Sequence, residues 1–191
     1  MSDFLNGLTL EKDIVNSLKN NKVINLTRPY LKFGIRKYKE KNDIQDTDIF
    51  TYIGNRLFIH LENGDIVGFE TNDVKDSILA WFEYRSGIKE NSHISINMER
   101  ITYDDPIYAE KLRWDGFINE HIHSIKVFTR KTPEGIKNFV DSNEKAILLE
   151  STNCSLLLPY GGRFEYRTVM PILKLEEAPD GYFDGTQVIE L

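Results

Sequence analysis

Residues 56–69, RLFIHLENGDIVGF, consist of two apolar runs joined by a short polar turn. Asn63 and Gly64 at the tip predict a hairpin, because both central residues of a type I′ turn need positive φ. Residues 145–160, KAILLESTNCSLLLPY, repeat this pattern with their turn at 151–155. The apolar runs of the second stretch do not alternate with polar residues, which predicts strands buried on both faces. Both stretches therefore favour an antiparallel sheet built from hairpins.

Further strands are predicted around these hairpins, at 30–38, 94–103, 122–129 and 164–175. Helix signals occur between them. A helix is predicted over 10–20, where leucine or isoleucine recurs every four residues and Thr9 can supply the cap. A second helix is predicted from 72 to about 84, with one broad apolar face formed by Val74, Ile78, Trp81 and Phe82.

Two more helices are predicted from their first residues. Asp105-Pro106 and Thr132-Pro133 each place a capping residue before a proline at the first helical position, which predicts helices from 105 to about 114 and from 132 to about 140. Strands outnumber helices, so we expect an α+β fold, a mainly antiparallel sheet with about four helices packed around it. We expect a single domain over residues 1–191, with a weak internal boundary at the polar stretch 86–92.

The composition excludes several classes of protein. With 40% hydrophobic and 12% aromatic residues, the chain is too apolar to remain disordered. Its one cysteine, Cys154, cannot form an intrachain disulfide, so a disulfide-rich scaffold is excluded. The sequence has no apolar run long enough to span a membrane, and its N-terminus does not resemble a secretory signal. We therefore expect a soluble cytoplasmic protein.

The net charge of −6 hides an uneven distribution of charge along the chain. Residues 28–41 carry six basic side chains and one acidic one, whereas residues 42–84 carry nine acidic side chains and two basic ones. The tail, residues 175–191, has acidic side chains and no basic one. Opposed blocks of this kind either pair with each other or present an acidic face to a basic partner.

His121 and His123 are the sharpest candidates for a metal site. On a strand, side chains two positions apart point to the same face, so both imidazoles could reach one metal ion. A stable site needs a third and usually a fourth ligand, which the neighbouring sequence does not supply. The alternative is that the two histidines are packed or solvated without a metal.

We expect a non-enzymatic binding protein, such as an immunity-type inhibitor that neutralises a basic, nuclease-like toxin and needs no cofactor. Such inhibitors use charge complementarity and aromatic anchors rather than catalysis. The alternative hypothesis is a small metal-dependent enzyme or metal-binding module built on His121 and His123. The negative net charge disfavours a third hypothesis, nucleic-acid binding through residues 30–38.

The candidate partner-binding residues are carboxylates of the two acidic stretches: Asp43, Asp46, Asp48, Asp73, Asp76, Glu83, Glu176, Glu177, Asp180 and Asp184. The candidate aromatic anchors are Trp81, Trp114, Tyr182 and Phe183.

Overall fold

The computed structural model describes residues 5–30, 35, 39–40, 43–90, 98–110, 112–130, 143–160 and 170–191. One sheet has six strands, β1 (Val23–Tyr30), β2 (Arg56–Leu61), β3 (Ile66–Asn72), β4 (Ser77–Arg85), β5 (Ile88–Lys89) and β6 (Glu99–Thr102), in the order β5-β4-β3-β2-β1-β6. The other has β7 (Ser124–Arg130), β8 (Glu144–Glu150), β9 (Ser155–Pro159) and β10 (Thr186–Glu190), in the order β10-β7-β8-β9. All pairings between these strands are antiparallel.

The predicted α+β arrangement, with about four helices packed around one sheet, is wrong. The protein is mostly sheet, with 43% strand and 17% helix. Two α-helices lie wholly within the described residues, α1 (Lys12–Asn20) and α2 (Ile49–Tyr52), together with short 3-10 turns. The helix predicted over 10–20 is confirmed as α1, but Thr9 does not cap it. Glu11 takes the N-cap position and makes no capping hydrogen bond through its side chain.

The helix predicted from 72 to 84 is a turn followed by strand β4. Lys75 N donates a 2.8 Å hydrogen bond to Asn72 Oδ1, and the left-handed φ of 49° at Asp76 helps reverse the chain. β4 is buried on both faces as far as Glu83. A strand with two buried faces shows no alternation of apolar and polar residues. Its apolar residues therefore matched the spacing of a helix by coincidence.

The helix predicted after Asp105 is a series of tight turns. The carboxylate of Asp105 does cap the first turn, because its Oδ1 accepts 2.9 Å hydrogen bonds from the backbone N–H groups of Ile107 and Tyr108. Leu112 then takes a left-handed φ of 70°, which ends any right-handed helix. Beyond it, Trp114 is buried in the core. Local capping signals contain no information about this distant packing.

Both predicted hairpins are confirmed. β2 pairs with β3 across the Asn63-Gly64 turn, and β8 pairs with β9 across the second turn. Of the two tip residues, Gly64 alone has positive φ, at 84°, and its N–H donates to Leu61 O at 3.0 Å. The turn is therefore a three-residue loop with glycine in the left-handed position, and not the predicted type I′ turn.

Of the remaining strand predictions, 122–129 is confirmed as β7, and the end of 94–103 is confirmed as β6. The helix at 132–140, most of the strand at 164–175 and most of the strand at 30–38 lie outside the described residues. The boundary predicted at 86–92 begins as the tight turn between β4 and β5. The single domain stays a prediction.

The two sheets share one hydrophobic core. Its fully buried residues come from both sheets and from α1, and include Leu57, Phe69, Val127, Leu149 and Leu18. A second, smaller cluster lies on the other face of the four-stranded sheet and contains Phe128, Leu157, Tyr182 and Phe183. Among the described helices, none combines the length and the apolar character that a bilayer crossing requires.

Arg28 of β1 is a buried cation with an exposed fraction of 1%. Its guanidinium donates five hydrogen bonds, 2.6 to 3.1 Å long, to backbone carbonyl oxygens of Phe50, Thr51, Gly54, Arg56 and Met170. Five bonds use all the N–H donors of a guanidinium. The side chain thus joins β1 to the chain around α2 and to Met170, and it does not belong to a basic surface.

Glu144, the first residue of β8, is a buried anion that holds the N-terminal part of the chain. Its carboxylate accepts 2.9 Å hydrogen bonds from the backbone N–H groups of Leu8 and Thr9, and a 2.7 Å bond from the Thr9 hydroxyl. Burial raises the pKa of Glu144, and the bonds from Thr9 and Leu8 oppose this shift. The hydroxyl that was expected to cap α1 therefore binds β8 instead.

His60 of β2 lies 2.9 Å from the Thr27 hydroxyl through its Nε2. Burial, with a smaller contribution from the charge of Arg100, lowers the pKa of His60 from 6.5 to about 4. In the unfolded chain, His60 takes up a proton near pH 6.5, whereas in the folded protein it does so only near pH 4. Between these two pH values, acid therefore favours unfolding.

We expect the titration of His60 to lower the free energy of unfolding by at most about 3 kcal/mol between pH 7 and pH 4. The His60→Gln variant keeps a polar group beside Thr27 but does not titrate. The urea midpoint of the variant should therefore fall less than that of the wild type when the pH is lowered over this range. Equal pH dependence of the two midpoints would contradict the assignment.

Candidate functional site

The chain between β6 and β7 carries the candidate site. It leaves β6 through Tyr103, whose N–H donates to Leu26 O at 3.0 Å. Phe50 N donates to Tyr108 O at 2.8 Å, which holds α2 against this segment. The buried Trp114 attaches the segment to the core. Its acidic side chains Asp104, Glu110 and Asp115 are exposed.

An open cleft of about 460 Å³ lies in this segment. Its lining combines apolar groups with three carboxylates and consists of Tyr103, Asp104, Asp105, Pro106, Ala109, Leu112 and Asp115. The exposed fraction of Leu112 is 67%, which is high for a large apolar side chain. Turns bring together residues that are separated by up to twelve positions in the sequence.

The carboxylates of the cleft are not neutralised within the described part of the chain. Neither Asp104 nor Asp115 forms an ion pair with a described cation there. Asp105 uses its Oδ1 for the backbone cap, as given above. Burial, followed by the charges of Asp104 and Asp115, raises the pKa of Tyr103. The phenol therefore lies within the electrostatic range of both carboxylates.

A second group of carboxylates surrounds Tyr52 of α2. Burial, followed by the charge of Glu177, raises the pKa of Tyr52, and the charges of Asp48 and Glu110 act in the same direction. The positive charge of Arg113 opposes them. Its guanidinium also donates to both Glu110 and Glu177. Glu110 of this group directly follows Ala109 of the cleft lining in the sequence.

We call these two groups together the acidic face and define it as Asp48, Asp104, Asp105, Glu110, Asp115, Glu176 and Glu177. Glu176 belongs to it because it is exposed beside Glu177. Two cations, Arg113 and Lys174, also lie in this region, since their charges and that of Glu176 act on Cys154. The fold thus brings Asp48 of the acidic stretch 42–84 close to the acidic tail.

The other predicted carboxylates lie in different surroundings. Asp43 and Asp46 are exposed, and Asp46 pairs with Lys39. Asp180 and Asp184 are exposed in the turns before β10. Glu83 is buried and accepts a 3.1 Å hydrogen bond from Trp81 Nε1, so it is not available to a partner on the surface.

Asp73 and Asp76 bind residues of this chain. Asp76 pairs with Lys145 at 2.7 Å and with Arg130 at 3.0 Å, while Asp73 accepts a 3.2 Å hydrogen bond from the Tyr160 hydroxyl. These contacts join the turn before β4 to the four-stranded sheet. The two aspartates therefore lie outside the acidic face.

Of the four candidate aromatic anchors, the two tryptophans are buried, whereas Tyr182 and Phe183 are half-buried and pack against the second cluster. Trp81 and Trp114 are 3% and 1% exposed. The Tyr182 hydroxyl oxygen lies 3.0 Å from Lys145 O and 3.2 Å from Tyr160 O, and the centroids of the Phe183 and Phe128 rings are 4.2 Å apart. The aromatic groups beside the acidic carboxylates are instead Tyr52 and Tyr103.

His121 and His123 are both exposed and flank the buried Ile122. Neither is part of a regular strand; His121 forms an isolated bridge with Lys22, and His123 N donates to Glu150 O at 3.0 Å. Across the described ranges, no three His, Cys, Asp or Glu side chains are grouped to hold a metal. Metal binding by this pair stays a hypothesis from the sequence.

Sequence reasoning missed the cleft. Asp104 and Asp105 are adjacent in the sequence, but adjacency alone does not show that their carboxylates converge with that of Asp115. Pro106 follows Asp105 and Gly116 follows Asp115, and the sequence analysis predicts a helix from 105 to about 114 between these two residues. Interpreted as turn signals, they would have predicted a loop that folds back and brings these carboxylates together.

Comparisons of the chain with protein-family models, with curated proteins and with solved structures found no match.

Proposed function

We propose that this protein is a non-enzymatic binding protein whose acidic face docks onto a basic surface of another protein. Within that class we propose an immunity-type inhibitor, acting in the cytosol, that covers and neutralises a basic toxin such as a nuclease domain. The observation that carries the proposal is the cleft, where Asp104 and Asp115 have no described cationic partner on a mostly apolar lining.

Carboxylates that have no described cationic partner and lie beside apolar groups are more typical of a protein–protein interface than of a surface in contact with solvent alone. Like charges that lie close together repel each other, so a basic partner would relieve repulsion as well as add attraction. Complementary charge also increases the rate at which two proteins meet. The exposed Leu112 and Ile107, at 67% and 57%, would provide apolar contact in the same region.

A capture experiment with charge-reversed variants tests this proposal. The immobilised protein is incubated with lysate of the source cells supplemented with the purified product of the neighbouring gene, and bound proteins are identified by quantitative mass spectrometry. The test variant is Asp48→Lys with Glu176→Lys, because both side chains lie on the acidic face and neither forms an ion pair with a described cation. We expect one strongly basic protein to bind the wild type and to lose at least about tenfold in affinity with the variant.

The matched control is Glu90→Lys with Glu62→Lys, which makes the same change of charge at exposed positions away from the acidic face. Glu90 follows β5, at the opposite edge of the six-stranded sheet from β1 and β6. The control variant should retain the partner, and raising the salt concentration should release it from the wild type. The proposal fails if no basic protein is enriched, or if both variants retain the same protein equally.

A further inference from the structure

We infer that the cleft receives an arginine side chain of the partner protein, which makes it the anchor point of the interface. This inference deepens the proposed function and rests on it. The proposed function specifies only that the partner surface is basic, whereas this inference specifies the group that binds in the cleft, a guanidinium. The argument uses the lining of the cleft, the placement of its carboxylates and the position of Tyr103.

The lining suits a side chain that is partly apolar. Pro106, Ala109 and Leu112 supply carbon surface along the cleft. The methylene stem of an arginine or a lysine can lie along such a surface while its charged end meets polar groups. A volume of about 460 Å³ is within the range of pockets that hold a small ligand, so one long side chain fits.

The charged groups favour arginine over lysine. Asp104, Asp105 and Asp115 all line the same cleft, and a guanidinium has five donors that can bind several carboxylate oxygens at once. Asp105 Oδ1 already accepts two backbone hydrogen bonds, which fixes the position of that carboxylate. Tyr103 also lines the cleft. A planar guanidinium can stack on a phenol ring, whereas an ammonium is more strongly hydrated.

Peptide titration of the isotope-labelled protein tests the inference directly. The probes are acetyl-Gly-Arg-Gly-amide, its lysine counterpart, and a citrulline peptide that has nearly the shape of arginine but no charge. We expect the arginine peptide to shift the backbone amide signals of Tyr103, Asp105 and Leu112, with a dissociation constant in the order of millimolar. The lysine peptide should bind more weakly, and the citrulline peptide should leave these signals unchanged.

The Asp104→Asn and Asp115→Asn double variant keeps the shape of the cleft and removes two charges. We expect it to bind the arginine peptide about tenfold more weakly, because two charge-assisted contacts are lost. The Glu90→Gln and Glu62→Gln variant is the matched control and should bind like the wild type. Absent shifts at the cleft, equal shifts with citrulline, tighter binding of lysine, or unchanged binding by the double variant would each overturn the inference.

The same variants separate this inference from the proposed function. If the partner is lost with Asp48→Lys and Glu176→Lys but still binds the Asp104→Asn and Asp115→Asn variant with wild-type affinity, the acidic face stands and the arginine anchor is wrong. If the arginine peptide binds the cleft but no basic protein is captured, the cleft is a site for arginine and the proposed function is wrong.

Discussion

Replacing Arg28 by methionine is expected to lower the free energy of unfolding by about 4 kcal/mol or more. Methionine keeps a long side chain in the buried space but removes one donor from each of five backbone carbonyl oxygens. Thr51 O and Gly54 O keep a bond from Ile172 N and Met170 N, whereas the other three oxygens lose the donor that Arg28 supplied. A stable domain has only about 5–15 kcal/mol to lose, so the variant should be close to unfolding at room temperature. Urea unfolding followed by tryptophan fluorescence measures the change.

Two further variants control this experiment. Arg28→Lys keeps the charge but offers fewer donors without the planar fork, so we expect an intermediate loss of about 2 kcal/mol. Arg85→Met removes an arginine whose side chain is 48% exposed and pairs with Asp13, and we expect its urea midpoint to stay close to that of the wild type. A stability of Arg28→Met within about 1 kcal/mol of the wild type would contradict the role we assign to this side chain.

Replacing Glu144 by alanine should cost about 3 kcal/mol, the second largest effect that we expect. The change removes the acceptor of three hydrogen bonds from Leu8 and Thr9 and leaves a space at a fully buried position. The N-terminal turn should then detach from β8. Hydrogen exchange should show this as faster exchange of the Leu8 and Thr9 amides than of the amides in the centre of β8.

A double-mutant cycle with Thr9→Val isolates the contact between the Thr9 hydroxyl and Glu144. We expect the two changes to be non-additive by about 1 kcal/mol, because each removes one partner of the same hydrogen bond. Additive effects, or unchanged amide exchange at Leu8 and Thr9 in Glu144→Ala, would show that this carboxylate does not hold the N-terminal turn.

The hairpins could be predicted from the sequence because their signals are local. The turn residues Asn63 and Gly64 stand between two apolar runs, and the structure forms the hairpin there. The exact type of turn could not be predicted, because it depends on how Leu61 and Asp65 pair, with Leu61 N donating to Asp65 O at 2.9 Å. Local sequence thus determined where the chain turns but not the detailed geometry of the turn.

The predictions from sequence were wrong where contacts between residues distant in the sequence override local conformational preference. β4 is buried on both faces, so Ile78 and Trp81 lie on opposite sides of a strand although their spacing matches a helix. Arg28 lies in a basic stretch, and nothing near it in the sequence indicates that its guanidinium binds Met170 O, 142 positions away. Such contacts are properties of the assembled fold and have no local signature.

In the candidate site, one feature could be predicted from local sequence and another depends on distant packing. Capping by Asp105 was predicted from its neighbours and is present, although turns rather than a helix follow it. The convergence of Asp104 and Asp115 on one cleft depends on the left-handed conformation of Leu112 and on the packing of Trp114. The uneven distribution of charge along the chain indicated an acidic surface, and the fold determines which carboxylates it contains.

The central claim is that a basic protein binds the acidic face, and hydrogen–deuterium exchange of the complex tests it most directly. The exchange rates of the free protein are compared with those of the protein bound to the captured partner. We predict slower exchange at 46–52, 103–119 and 174–178, the three segments that carry the acidic face. Unchanged exchange in these segments, with protection at β5 or around His121 and His123 instead, would contradict the account.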